Sequence, residues 1–183
     1  DQARLITNRS SGAMGVLLAQ AARLRGAEVA LVHGPLQVPE PWLESLHCHP
    51  VQSAAEMQMV LQQKQADVDA IAMAAAVADL RRVATGDVST AGKAAKADLA
   101  LRLSDGWELV PDLLQGLAAR RPAMQLILGF AALTGEDAEL LRRGEQKRLR
   151  KGCDLLFVNP IDRPGQGFGQ AQNGGWLLGN GWS

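Results

Sequence analysis

The sequence predicts an α/β protein, a Rossmann-like three-layer domain with a mostly parallel sheet. Three observations point there. Short apolar runs alternate with amphipathic stretches of about 10 to 15 residues, the rhythm of repeated βαβ crossovers. Several of those stretches carry helix-starting or helix-ending residues at their edges. The length, 183 residues, suits one domain that buries roughly 70% of its unfolded surface. No internal repeat or linker interrupts the pattern, so residues 1–183 are expected to form a single domain.

Taken in order, Arg4 to Thr7 is a brief extended run, followed by the polar turn Asn8-Arg9-Ser10-Ser11-Gly12. From Ala13 to Arg25 the residues Met14, Leu17, Leu18, Ala21, Ala22 and Leu24 recur at helical spacing. Gly26 then ends the helix as a left-handed cap. Glu28 to Val32 is a buried strand by composition, Pro39 to Trp42 a loop, and Leu46 to Val51 a short strand. Ser53, with Glu56 three residues on, caps a helix from Ala54 to about Gln65. Ala70 to Val77 is a strand of small residues, and Arg81 to Gly92 a polar loop. Leu99 to Leu103 alternates and meets Ser104-Asp105-Gly106 in a hairpin-like turn. Pro111 and Asp112 open a helix through Arg120, with the proline in its first turn. Leu126 to Phe130 is a strand, Glu136 to Lys151 a helix, and Leu155 to Val158 a strand ending at Asn159-Pro160. Gly-rich Pro164 to Gly175 leads to a last strand, Trp176 to Leu178.

Composition narrows the function. Nineteen Lys+Arg balance nineteen Asp+Glu, which argues against a global affinity for nucleic acid or anionic membrane. No run approaches the ~20 apolar residues of a membrane helix. Two cysteines, Cys48 and Cys153, fit a reducing cytoplasm. Tyrosine is absent, which removes the Tyr-x-x-x-Lys pair of short-chain reductases. The chain opens at Asp1 without Met or signal peptide and stops without a terminal helix, and so reads as a piece of something longer.

The candidate sites divide by chemistry. Ser10, Ser11 and Gly12 lie at a helix N-terminus, where free N–H groups and the dipole attract phosphate; a serine-capped turn explains them equally well. No G-x-G-x-x-G occurs, and His33-Gly34 stands where the ribose-binding acid belongs, so NAD is disfavoured. Gly86 to Ala94 imitates a P-loop but has five residues between its glycines and Ala94 in place of Ser or Thr. What survives is Lys93, with Lys96 nearby. Asp79 follows Ala74-Ala75-Ala76-Val77-Ala78 at a strand's carboxyl end, where ligands of open α/β sheets gather. It is placed to hold a metal or an amino group, or to cap a turn. Phe130 and Asn159 close two further strands. Between Arg142 and Lys151 stand six basic residues and one acid, with Arg143, Lys147 and Lys151 on one helical face. That face is a polyphosphate clamp or simply solvated. His47-Cys48-His49 is a poor zinc site, because alternation on a strand points Cys48 away from the histidines.

Four motifs occur in order: Asn8-Arg9-Ser10-Ser11-Gly12-x-Met14-Gly15, Ala74-Ala75-Ala76-Val77-Ala78-Asp79, Gly129-Phe130-Ala131-Ala132, and Lys147-Arg148-x-Arg150-Lys151-x-x-Asp154. Together they resemble the bacterial, CTP-using phosphopantothenoylcysteine synthetases, or phosphopantothenate–cysteine ligases, from Arg4 to about Asn173. The resemblance implies a ligase in coenzyme A biosynthesis. Phosphopantothenate attacks the α-phosphorus of CTP, giving an acyl-cytidylate and pyrophosphate; the cysteine amine then displaces CMP. It implies Mg²⁺ with the nucleotide, no FMN in this domain, and a homodimer. It also implies that the flavin-dependent decarboxylase half of the full protein is absent, with a glycine-rich first strand ahead of Asp1 and a last helix. By the same resemblance, Asn8 polarises the acyl carbonyl, Arg4 and Ala76 contact the acid substrate, and the loop residue Lys93 supports both steps. Met73, Ala74, Ala75 and Asp79 line the nucleotide pocket, with Asp79 on ribose or cation. Pro111, Asp112, Leu113, Leu114, Phe130, Lys147 and Lys151 make further CTP contacts, and Ser10, Ser11 and Gly12 form the phosphate turn. Leu133 and Val110 depart from the residues common in the family. A nucleotide-sensing or interaction domain and an NAD(P)-dependent reductase are the alternatives on this scaffold.

Overall fold

The structure is a computed structural model that describes residues 8–83, 103–170 and 172–180. The chain divides into two compact units, one of Asp1–Asn8 with Ala76–Pro111 and one of Arg9–Ala75 with Asp112–Ser183.

The larger unit holds most of the elements. Helix α1 (Ala13–Leu24) ends as expected, Gly26 taking φ 89° just beyond it. Strands β1 (Ala30–His33) and β2 (His47–Pro50) pair in parallel. The run read as a buried strand is shorter and wetter than expected: Ala30 is exposed and Leu31, Val32 and His33 are half-buried. The segment read as loop contains a 3-10 turn, Glu40–Leu43. Helix α2 (Ala54–Lys64) starts at Ser53 with the complete reciprocal cap. Ser53 Oγ accepts from Glu56 N at 3.2 Å, and the Glu56 carboxylate accepts from Gln52 N at 2.9 Å.

A four-stranded sheet follows, in the order β3 (Ala70–Met73), β6 (Leu126–Leu133), β7 (Leu155–Pro160), β8 (Trp176–Gly179). The first three strands are parallel and β8 is antiparallel to β7. Strand β3 stops at Met73, four residues short of the expected end, while β6 runs three residues past Phe130. Burial alternates along β6 and β7, as it must when successive side chains take opposite faces. On one face, Ala131, Leu156, Val158 and Leu178 pack with Leu140 of helix α4 (Asp137–Lys151). Helix α3 (Leu113–Ala118) adds a second cluster through Leu114, Ile127 and Cys153. Gly144 lets α4 approach closely, because a Cβ there would stand 2.5 Å from Val158 Cγ2.

Asp112 is the N-cap of α3, accepting from Gln115 N at 3.1 Å. Pro111 therefore precedes the cap instead of sitting in the first turn, and the helix ends at Ala118, not Arg120. Once the aspartate caps through its side chain, the proline falls outside the helix.

In the smaller unit, β4 (Leu80–Arg82) and β5 (Trp107–Leu109) form an antiparallel pair, tied across by Arg81 and Glu108 at 2.7 Å. The loop expected from Arg81 thus begins with strand. Leu103 and Ser104, read as the end of an alternating strand and its turn, are helical; short leucine runs satisfy either period. Residues 84–102 lie outside the described set.

Candidate functional site

The turn into α1 is built by Gly12, which takes φ 82° as the N-cap and offers no side-chain acceptor. Ser10 Oγ accepts from Gly12 N at 3.4 Å and Ser11 Oγ from Ala13 N at 3.3 Å. Both are longer than usual for N–H···O bonds. Ser11 O in turn accepts from Gln37 N at 2.9 Å, which holds the turn against the segment after β1. A Cβ added to Gly15 would lie 3.6 Å from Ala74 Cβ, so α1's first turn abuts the chain leaving β3. Small residues on both sides permit that approach.

Register extends the same edge. Met73 pairs with Gly129, and Phe130 pairs with Phe157, the two rings 5.8 Å apart and tilted by 57°. Met73 itself packs against the Leu114, Ile127 and Cys153 cluster. Ser10, Ser11, Gly12, Met73, Ala74 and Phe130 are therefore drawn into one region of the larger unit, at the carboxyl side of β3. Ala75 follows, exposed.

A second group forms where α3 and α4 meet. Lys151 pairs with Asp112. Burial raises the Asp112 carboxyl, but the Lys151 hydrogen bond, the Gln115 N–H and the charges of Lys151 and Arg150 outweigh it and hold the group below its ordinary value. Leu113 and Leu114 have side chains in the core, 6% and 9% exposed, so any ligand contact of theirs comes from the backbone. Lys147 is half-buried. Arg143 donates to Thr134 O at 3.1 Å and Arg142 binds Glu139.

Arg148 has a role that the sequence reading did not identify. It is buried, and donates to Glu145, to Cys153 O at 3.1 Å and to Asn180 Oδ1 at 2.9 Å. Its hydrogen bond to Glu145 raises the guanidinium's already high pKa and lowers the carboxyl's. A signal was present: Leu140, Gly144 and Arg148 repeat at spacing four on the core-facing stripe, next to the stripe of Arg143, Lys147 and Lys151. Cys153, also buried, has its thiol pKa pushed up by desolvation.

In the smaller unit, Asn8 Nδ2 donates to Ala76 O at 2.5 Å, bringing two of the predicted substrate residues into contact. The Asp79 backbone carbonyl accepts from Val110 N at 2.9 Å, and the residue is exposed at the start of the β4–β5 pair. Pro111 is exposed. Arg4 and Lys93 lie outside the described residues. Among the described residues no cluster of three or more His, Cys, Asp or Glu could hold a metal, and no helix is long and apolar enough to cross a membrane.

Fold and residues together define an α/β protein with parallel strands at its core. The family model of the DNA/pantothenate metabolism flavoprotein C-terminal domain matches residues 1–182, and the chain belongs to that family. It is 34% identical to coenzyme A biosynthesis bifunctional protein CoaBC of Escherichia coli strain K12, over 94% of this chain and 41% of that protein. Against the CoaBC of Mycobacterium tuberculosis strain H37Rv the identity is 37%, over 97% of this chain and 42% of that protein. The chain thus spans about two fifths of these curated relatives. A crystal structure of the C-terminal domain of CoaBC aligns with a TM-score of 0.66 at 30% identity, over 87% of this chain and 69% of that one.

Proposed function

We propose that this chain is a phosphopantothenate–cysteine ligase domain that activates its acid substrate with CTP, in coenzyme A biosynthesis. The observation that carries the reading is the family match over residues 1–182 together with 34–37% identity to CoaBC proteins. The carboxylate of phosphopantothenate attacks the α-phosphorus of CTP and expels pyrophosphate. The cysteine amine then attacks the acyl carbon of the cytidylate and expels CMP. A carboxylate is a poor acceptor for an amine until its oxygen becomes a leaving group, which is why the nucleotide is consumed.

The protein's tasks are positioning and charge stabilisation. Asn8 has an amide N–H to offer the acyl carbonyl as negative charge develops there; in the structure that N–H rests on Ala76 O. Ser10, Ser11 and the N–H groups of α1 form a phosphate turn, and Lys147 and Lys151 supply cations for the triphosphate. Arg4 and Lys93 serve the acid substrate and CTP. Met73, Ala74, Ala75 and Phe130 offer small and aromatic surfaces for a base.

Asp79, exposed at the start of the β4–β5 pair, would offer one carboxylate to Mg²⁺ carried on the triphosphate. Bound to the triphosphate, that ion would offset its negative charge. The domain works as a homodimer in the cytoplasm, joined in the full protein to a decarboxylase domain.

The test mixes the protein with CTP, Mg²⁺, phosphopantothenate and cysteine and follows pyrophosphate and CMP. Pyrophosphate is expected with CTP and phosphopantothenate, and CMP only once cysteine is added. Turnover of NADH with none of CTP would sink the reading.

A further inference from the structure

We infer that Asp112 is a positioning residue, holding the Lys151 ammonium for the nucleotide instead of touching the nucleotide itself. The inference deepens the ligase reading and rests on it. Both carboxylate oxygens already have protein donors: Oδ1 accepts from Gln115 N at 3.1 Å, and Oδ2 pairs with Lys151. One side chain thereby links the first turn of α3 to the last turn of α4.

The elements around it are firmly placed. Leu113 and Leu114 anchor α3 in the core, and Gly152, at φ 70°, terminates α4 just after Lys151. The Lys151 side chain is only 18% exposed, against 33% for Asp112, so the ammonium is held at the end of a packed stem. Lysine is otherwise a point charge on a flexible four-carbon arm. A neighbouring carboxylate restricts it to one direction. An unpaired carboxylate beside a triphosphate would instead repel it, which makes Asp112 a poor direct contact and a good anchor.

The experiment is a double-mutant cycle on this chain, measuring Mg²⁺–CTP affinity by calorimetry, with thermal midpoints and pyrophosphate turnover recorded in parallel. Asp112→Asn keeps an oxygen to cap α3 but removes the ion pair. It should weaken CTP about five- to tenfold, and Lys151→Ala should weaken it at least as much. The decisive reading is the double variant: Asp112→Asn should cost nothing more once Lys151 is gone.

Multiplying effects would mean that Asp112 contacts the nucleotide itself and would overturn the inference. So would an Asp112→Asn variant with a lowered midpoint and unchanged affinity, since that is a cap and nothing else. An unchanged affinity in Lys151→Ala, or no CTP binding by the parent chain, also overturns it. Coupled CTP binding without turnover would keep the inference and reject the ligase reading.

Discussion

The N-terminus of α2 is closed by its own side chains, whereas that of α1 is left to a glycine. In α2, Ser53 Oγ accepts from Glu56 N and the Glu56 carboxylate accepts from Gln52 N. In α1, Gly12 contributes no side-chain acceptor, and the two serines before Ala13 turn onto nearer N–H groups at longer distances. Orphan N–H groups at a helix start require some partner. Helix α2 finds its partner within four residues. Helix α1 begins instead with small residues, beside Ala74. The difference separates a start closed by its own side chains from one whose N-cap residue has no side-chain cap to offer.

Four substitutions probe that contrast, beginning with the largest expected effect. Gly12→Val forces a β-branched residue into the left-handed region, with its Cβ built 2.2 Å from Leu36 Cδ2. It should cost on the order of 2 kcal/mol in denaturant unfolding and abolish measurable turnover; a variant of parental stability and activity would show that the turn is not demanding.

Asn8→Asp comes next. It replaces an N–H donor with a carboxylate two residues ahead of the turn. Pyrophosphate release should persist while CMP formation slows at least ~100-fold, the usual effect of losing one such donor. Equal slowing of both products would remove Asn8 from the second step.

The last two variants form a pair. Ser53→Ala should lower stability by about 1 kcal/mol and leave CTP affinity unchanged. Ser11→Ala should weaken CTP by about threefold, of order one modest hydrogen bond, with a smaller loss of stability than Ser53→Ala. Reversed phenotypes would erase the distinction between the two helix starts.

Legibility followed the range of the interactions. The Ser53–Glu56 cap, the Gly26 stop and the helix ending at Lys151 were readable because each depends on residues within a turn or so of one another. Strand β4 was not, because its pairing partner, Trp107–Leu109, lies far along the chain. The candidate site shows the same division. Ser10 to Gly12 and the small residues after Met73 stood out by type and position. The burial of Arg148, the core location of Leu113 and Leu114, and the Asp112–Lys151 pair depend on helices that meet only in the folded chain.

From sequence alone come the α/β class, the order of most helices and strands, and the membership that four motifs in order imply. Periodicity and capping are local, and a family's motifs are linear strings. Tertiary structure decided which charges are spent inside the protein. Arg148 and Lys151 are three residues apart on one basic helix, yet one is buried among carbonyls and the other is held by a carboxylate from α3. A helix turns about 100° per residue, so three residues shift the side chain by about 60°. What waits at each angle is set by the elements packed there.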